Sequence, residues 1–324
     1  MSETEAMVFA YLLDGKGGGT PKTWLDLKDW HPEDGLLWVH LDSQNSAAQS
    51  WLQNESGLDP LVCDSLLDEG TRPRSGSSKD GLLVILRGVN CNPGQDPEDM
   101  VAIRMFFAEN RIITLRYRRI MAIQDIQQAL EADKGPCNAG DALVMVADRI
   151  TDRMGDVVSD VDDRMDELED SVLTIESYEL QPQLADLRRT AISLRRYIAP
   201  QRDVLGRLIR EQIPWLDDAH RAHLREITER TARYIEDVDA ARERASITQE
   251  ELNSRLSEKM SKTMYILSIV AAIFLPLGLL TGLLGINVGG IPGTENRWAF
   301  TLVAAGLVAI AMGLVYWFKR KKWL

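Results

Sequence analysis

Two stretches of this chain carry no charged side chain: Thr263 to Thr294, and Trp298 to Phe318. No other feature restricts the fold as strongly. The shorter run has 21 residues, which as a helix rising about 1.5 Å each cover about 30 Å, the thickness of one hydrocarbon core. Two such runs joined by a short loop read as a transmembrane hairpin. A buried hairpin in a soluble protein is the alternative, and the length of both runs disfavours it. The mildly negative mean hydropathy of the whole chain hides this, because the apolar residues are concentrated at the C-terminus.

Flanking charge sets the orientation. Lys259 and Lys262 precede the first run, and Lys319, Arg320, Lys321 and Lys322 follow the second. Between the runs the only charged residues are Glu295 and Arg297. The positive-inside rule then places both termini in the cytoplasm, with Trp298, Tyr316, Trp317 and Trp323 as interfacial aromatics. Met1–Ala10 holds acids and no basic n-region, so the N-terminal part is expected to stay inside. Cys63, Cys91 and Cys137 form no CxxC pair, which suits a reducing compartment and structural thiols. The net charge of −12 argues against a nucleic-acid partner. An acidic body beside a membrane gathers cations instead.

Residues 1–140 are expected to form a cytoplasmic α+β domain with a small sheet. Its strands are read in Ala6–Gly15, Gly35–Asp42, Gly81–Val89 and Val101–Arg118, the last with a hairpin turn at Glu109-Asn110. Ser46–Asn54 and Leu58–Glu69 read as helices, and Thr71–Asp80 as a loop. There is no GxGxxG, P-loop or HExxH, so no enzyme is expected.

Residues 141–262 change to long helices. Ile150, Met154, Val157, Val161, Met165, Leu168, Val172 and Ile175 make one amphipathic stripe. From Asp148 to Asp170 there are ten Asp or Glu against three Arg. Asp156, Asp160, Asp163, Glu167 and Asp170 form an acidic face, read either as a solvated surface or as one that attracts hard cations. A helix over Leu184–Leu208 contains Pro200, which should kink or break it. His220 and His223 share a helix face and suit Zn²⁺, but two ligands fall short of three or four, so solvated histidines are the alternative. His31 and His40 read as structural.

After Asp217, a potential N-cap, no proline or glycine occurs until Pro276. One helix to Leu284, about 100 Å long at 1.5 Å per residue, would enter the membrane unbroken. Leu224, Ile227, Thr231, Tyr234, Val238, Ala241, Ala245, Thr248, Leu252, Leu256 and Met260 mark one face. Met264, Leu267, Ala271, Leu275, Gly278 and Gly282 continue it into the apolar run, ending in a GxxxG. Two spans cannot enclose an aqueous path, but copies related by an axis can, and this stripe would line it. The glycines of "GLLGINVGGIPG" (Gly282 to Gly293) let the backbone leave the helix through φ angles closed to other residues. Such irregular backbone fits a pore mouth. Asn287 offers there a carbonyl that can hold the water shell of a cation without a formal charge.

The long helix, "IFLPLGLLTGLLGIN" (Ile273 to Asn287), the second span, "KRKKWL" and "RRYIAPQRDVL" together resemble the CorA family of divalent-cation transporters. Gly285-Ile286-Asn287 stands in place of that family's Gly-Met-Asn and resembles its ZntB-like zinc-transport branch. The resemblance implies a homopentameric CorA-like funnel in the inner membrane: an α+β head, stalk helices and a two-helix transmembrane hairpin. On this reading 263–284 is the pore-lining span, 285–297 a periplasmic loop, 298–318 the outer span and 319–324 a basic tail. Gly285, Ile286 and Asn287 would form the ion-selectivity motif. Zn²⁺ would be cargo, with other divalent cations as alternatives, and no resident cofactor is implied. Protons enter as a coupling partner. Neither span contains Asp, Glu, His, Lys or Arg, so coupling would use Glu295, the cytoplasmic acids or a water-mediated route. The rival readings are a passive Mg²⁺, Co²⁺ or Ni²⁺ channel of the same fold, a non-conducting membrane-tethered coiled-coil sensor, and a membrane-anchored enzyme.

Overall fold

Short runs rich in β-branched and aromatic residues make the N-terminal strands, as their composition favours. These are β1 (Met7–Leu13), β2 (Gly19–Pro21), β3 (Leu37–Asp42), β4 (Arg74–Ser78), β5 (Gly81–Gly88), β6 (Val101–Phe107) and β7 (Arg111–Arg116). In the computed structural model, which describes residues 6–70, 72–172, 177–285 and 296–321, they form one sheet of order β2-β1-β3-β7-β6-β5-β4. The β3–β7 pair is parallel, with Leu37 opposite Arg111 and Asp42 opposite Arg116. The β6–β7 hairpin turns at Glu109-Asn110, closed by the Ala108 amide donating to Arg111 O at 2.8 Å.

Helices cover both faces of the sheet, and β6 is buried along its whole length. On one face α2 (Ser46–Asn54) and α3 (Pro60–Leu67), after the single-turn α1 (Asp26–Asp29), bring Leu52, Val62 and Leu66 against Leu41, Phe106, Ile113 and Leu115. On the other, α5 (Ala139–Ser171) and α6 (Ser177–Leu208) contact β4 and β5, with α4 (Met121–Glu131) beside α5. His40 is enclosed, its Nδ1 2.8 Å from the Thr114 hydroxyl. Burial, with Arg116 nearby, lowers its pKa to about 3, so it is a neutral core residue. His31 caps a short 3-10 turn.

Several expectations change. The stretch read as a loop over Thr71–Asp80 contains β4, paired Arg74↔Ile85 to Ser78↔Gly81. Thr71 itself lies outside the described residues. Edge strands stay short and polar to avoid mispairing, so β4 carries a loop's composition. The sheet is correspondingly larger than the small one expected. Helix α6 runs through Pro200 without breaking. Leu194, Ile198, Gln201 and Leu205, on either side of the proline in the helix, are buried, and Gln201 Oε1 accepts the Arg87 amide at 2.7 Å. Packing therefore holds the helix where local chemistry disfavours it. On α5, Val158 is buried and Val157 only half-buried. Ile175 lies outside the described residues.

The chain divides into two units, Met1–Gln249 and Glu250–Leu324. Helix α7 spans Asp218–Leu284 as a single element, and α8 follows as Ala299–Arg320. Both are long and apolar enough to cross a membrane. Only 6 % of the apolar window of α7 and 0 % of that of α8 is buried within the chain. The core helices of a soluble protein would be mostly covered, so the buried-hairpin alternative fails.

Candidate ion-translocation site

The N-terminal half of α7 is held against α5 in a constant register. Asp217 caps α7, its Oδ1 accepting the His220 amide at 2.9 Å, while His220 Nδ1 receives the Asp217 amide at 3.2 Å. The reciprocal pair is a capping box with histidine in the place of glutamate. The His220 amide holds the Asp217 carboxyl below its ordinary range. His220 Nε2 reaches Asp141 Oδ1 at 2.9 Å, which ties the start of α7 to the start of α5. Farther on, Arg230 grips Asp148 (2.5 Å) and Asp152. Arg244 then grips Asp162 (2.8 Å), Asp166 and Glu169 (2.5 Å). Burial opposes the Arg230 charge, but Asp148 and Asp152 outweigh it and hold the guanidinium above its ordinary range. Hydrogen bonds to Glu169 and Asp166 raise Arg244 likewise.

These contacts align the two helices in parallel, and they explain half of the acidic count. Five of the ten acids between Asp148 and Asp170 bind α7 arginines. The other five are Asp156, Asp160, Asp163, Glu167 and Asp170, the face singled out from the sequence. All five are exposed, and no ion pair engages them among the described residues. Sequence reasoning missed the arginine clamps. Their signal was the shared spacing: Arg230 and Arg244 are as far apart as Asp148 and Asp162, nearly four helical turns in each case.

His220 and His223 both border a cavity of about 560 Å³ at the head of α5 and α7, with Asp141, Asp148, Glu226 and Arg230. They do not make a metal centre. Both His220 nitrogens are engaged, and among the described residues no group of three or more His, Cys, Asp or Glu is placed to hold a metal.

The stripe along α7 is continuous, but its surroundings change. Leu224, Ile227, Thr231, Val238, Ala241, Ala245, Thr248 and Leu252 are buried. Tyr234 is half-buried, and its neighbour Ile235 takes the inward position. Beyond them the same face is open: Met264 is 63 % exposed, Leu267 68 % and Leu275 71 %. Ile269 is the buried residue of the span, with Ile273 and Leu277 half-buried on its line. At 3.6 residues per turn, the Met264–Gly282 line lies about half a turn from Ile269, Ile273 and Leu277. The helix thus has one covered line and, opposite it, an apolar line that among the described residues is exposed at Met264, Leu267, Leu275, Gly278 and Gly282 and half-buried at Ala271. Ala271, Leu275 and Gly278 border a shallow apolar hollow there.

Helix α7 ends at Leu284. The Gly285 amide donates to Thr281 O at 2.9 Å and Gly282 O at 3.2 Å, so Gly285 still closes a helical turn. It is not among the glycines with positive φ, so it is not the residue through which the chain leaves the helix by such an angle; Gly289, Gly290 and Gly293 lie outside the described residues. Ile286, Asn287 and Glu295 lie outside the described residues.

The family described as "CorA-like Mg2+ transporter protein" matches residues 33–320 of this chain. The chain belongs to the CorA family. Divalent cation transporter CmaX of Pseudomonas aeruginosa is 40 % identical to it over 326 residues, covering 99 % of this chain and 98 % of that protein. Zinc transport protein ZntB of Yersinia enterocolitica is 37 % identical over 317 residues, covering 98 % and 96 %. The solved structure of full-length CmaX superposes with a TM-score of 0.86 at 38 % identity, covering 99 % of both chains. A CorA-family chain with an α+β head, a long helix and an apolar helix hairpin is a membrane transporter of divalent cations, as the relatives named above are described.

Proposed function

We propose that this CorA-family chain is a homopentameric divalent-cation transporter of the inner membrane, that its cargo is Zn²⁺, and that both termini face the cytoplasm. The observation that carries the reading is the α7 stripe. It is buried along the N-terminal half of the helix, is exposed along most of the span, and is followed in the sequence by Gly285-Ile286-Asn287. An apolar face left uncovered opposite the covered line suits copies of the same helix around an axis. Met264, Leu267 and Leu275 would then be constrictions that gate by dewetting, with Ala271, Gly278 and Gly282 between and beyond them. The carbonyl of Asn287, repeated around the axis, would hold a hydrated cation at the outer mouth. The exposed acids Asp156, Asp160, Asp163, Glu167 and Asp170 would raise the local cation concentration at the inner end. Zinc as cargo is supported by the Gly-Ile-Asn triplet and by the named cargo of ZntB.

A substitution tests the axis directly. A Cβ placed on Gly278 or Gly282 meets no atom within 4 Å in the single chain. Gly278→Val should therefore leave the fold of one chain intact and lower the pentamer fraction by cross-linking and native mass measurement. An unchanged pentamer would remove the stripe from the subunit interface.

Transport is tested with the purified chain in liposomes, measuring Zn²⁺ and Mg²⁺ uptake with and without an imposed pH gradient. Zinc flux that rises with the proton gradient supports coupled zinc transport, with the proton route in Glu295 or the cytoplasmic acids. Equal, gradient-independent flux of both ions would favour a passive channel, the reading that matches spans free of Asp, Glu, His, Lys and Arg.

A further inference from the structure

Six basic residues flank the apolar helix pair. Lys259 and Lys262 precede the apolar part of α7, and Lys319, Arg320, Lys321 and Lys322 follow that of α8. Two consecutive spans cross one bilayer in opposite directions, so both flanks come to the same membrane face. The only carboxylate within the flanks is Glu258, a local reversal of sign in a chain of net charge −12. Lys322 lies outside the described residues. The other five cations are exposed, and none takes part in an ion pair among the described residues. Basic residues earlier on α7 are engaged instead: Arg255 pairs with Glu251 at 2.6 Å, and Arg230 and Arg244 clamp α5.

Helix-end electrostatics account for only part of this. The C-terminus of α8 favours cations in its last turn, which suits Lys319 and Arg320. Lys259 and Lys262 stand in the interior of α7, about six turns before its end at Leu284, where no such dipole acts. They also turn away from the proposed axis. At 3.6 residues per turn both fall on the line of Ile269, Ile273 and Leu277, while Met260 and Met264 lie about half a turn away. Interfacial side chains adjoin the cations. Tyr265, Tyr316 and Trp317 are exposed, and Trp317 lies beside Phe318 with ring centres 5.4 Å apart.

We propose that this basic collar binds the headgroup phosphates of anionic phospholipids, with cations from both α7 and α8. Position selects the occupant. The charge-free runs begin at Thr263 and end at Phe318, so Lys262 and Lys319 directly adjoin the hydrocarbon length, at headgroup depth. Long basic side chains reach phosphate there while their stems stay beside the acyl chains. Exposed Ile266, Tyr316 and Trp317 meet those chains, and free phosphate has none to offer them. The inference rests on the membrane-hairpin part of the proposed function, and not on cargo, coupling, assembly or orientation.

The test uses the full chain in detergent, titrated with phosphatidylglycerol, with phosphatidylcholine of the same acyl chains, and with inorganic phosphate. Bound lipid is counted by native mass measurement, and the thermal unfolding midpoint is followed in parallel. The expected result is tighter, saturable binding of phosphatidylglycerol and a rise in the midpoint that neither other probe reproduces. Each cation near a membrane surface changes such a preference by about five-fold. Lys259→Gln combined with Lys262→Gln, which leaves the α8 flank intact, should therefore lower the preference by about ten-fold or more. Lys319→Gln, Arg320→Gln and Lys321→Gln together should lower it further, and if that triple variant does not fold, the α7 pair decides. Equal affinity for the two lipids, equal stabilisation by inorganic phosphate, or the parent's preference in the folded α7 variant would overturn the proposal. A protein that does not insert into phosphatidylcholine liposomes would overturn the hairpin reading as well, whereas insertion without anionic preference overturns the proposal alone.

Discussion

Substituting Asn287 with alanine is expected to lower Zn²⁺ flux by about ten- to a hundred-fold, each lost hydrogen bond to the cation's water shell being worth roughly 0.5–1.5 kcal/mol and every copy losing one. The proposed pentamer should remain intact, because the residue follows the end of α7 at Leu284 and follows the helical turn that Gly285 closes. The argument is one of chemistry and position. An amide carbonyl accepts from the waters around a cation without demanding that the cation shed them, and binding stays weak enough for release. Alanine has no acceptor, and every copy around the axis loses its own at once. Asn287→Asp is the informative contrast: a ring of charge should bind cations more tightly and release them more slowly. Unchanged flux in a fully assembled Asn287→Ala protein would sink the role given to this residue.

The second large effect lies in the head. Gly140→Ala should destabilise the protein by about 1–3 kcal/mol, the usual cost of overpacking. A Cβ at Gly140 would stand 2.6 Å from Cε1 of the His220 ring. That ring cannot swing aside, since Asp217 and Asp141 hold its two nitrogens. The gain in helix propensity from alanine, about 1 kcal/mol in a helix interior, is smaller here because Gly140 is only the second residue of α5. Gly155 is a second close approach, where an added Cβ would stand 2.5 Å from the Tyr234 hydroxyl. Gly206→Ala is the control: it meets only the tip of Arg210 at 4.0 Å, so it should stabilise by about 0.5–1 kcal/mol. Thermal midpoints of the parent and the two alanine variants in one detergent would decide it. A Gly140→Ala protein as stable as the parent would show that α5 and α7 can separate at no cost.

Opposite signs for one substitution at different glycines cannot be read from the chain, and this marks the general boundary. Periodicity is a local property, and wherever local pattern governs structure the reading held. Helix α7 begins beside its Asp217 cap and ends at Leu284; α2 and the β6–β7 hairpin fall where their residues place them; the charge-free runs are helical over 263–284 and 299–318. Hydrophobic length is likewise local, so the membrane segments could be read without a fold. The strand β4 failed that reading because an edge needs few apolar residues. Pro200 failed it because packing around Gln201 outweighs a missing amide.

The sequence by itself therefore determined most of the elements, β4 excepted, the apolar helix pair and, through Gly285-Ile286-Asn287 and its surroundings, the family. Only the tertiary structure decided which charges meet. One row of acids looked uniform in the chain, yet five of its ten members clamp Arg230 and Arg244 while Asp156, Asp160, Asp163, Glu167 and Asp170 stay in solvent. His220 looked like half of a metal site and is a cap that joins two helices. The physical reason is the same throughout. A side chain's neighbours along a helix follow from spacing, but its partner across a helix interface is some eighty residues away, and only packing sets that register.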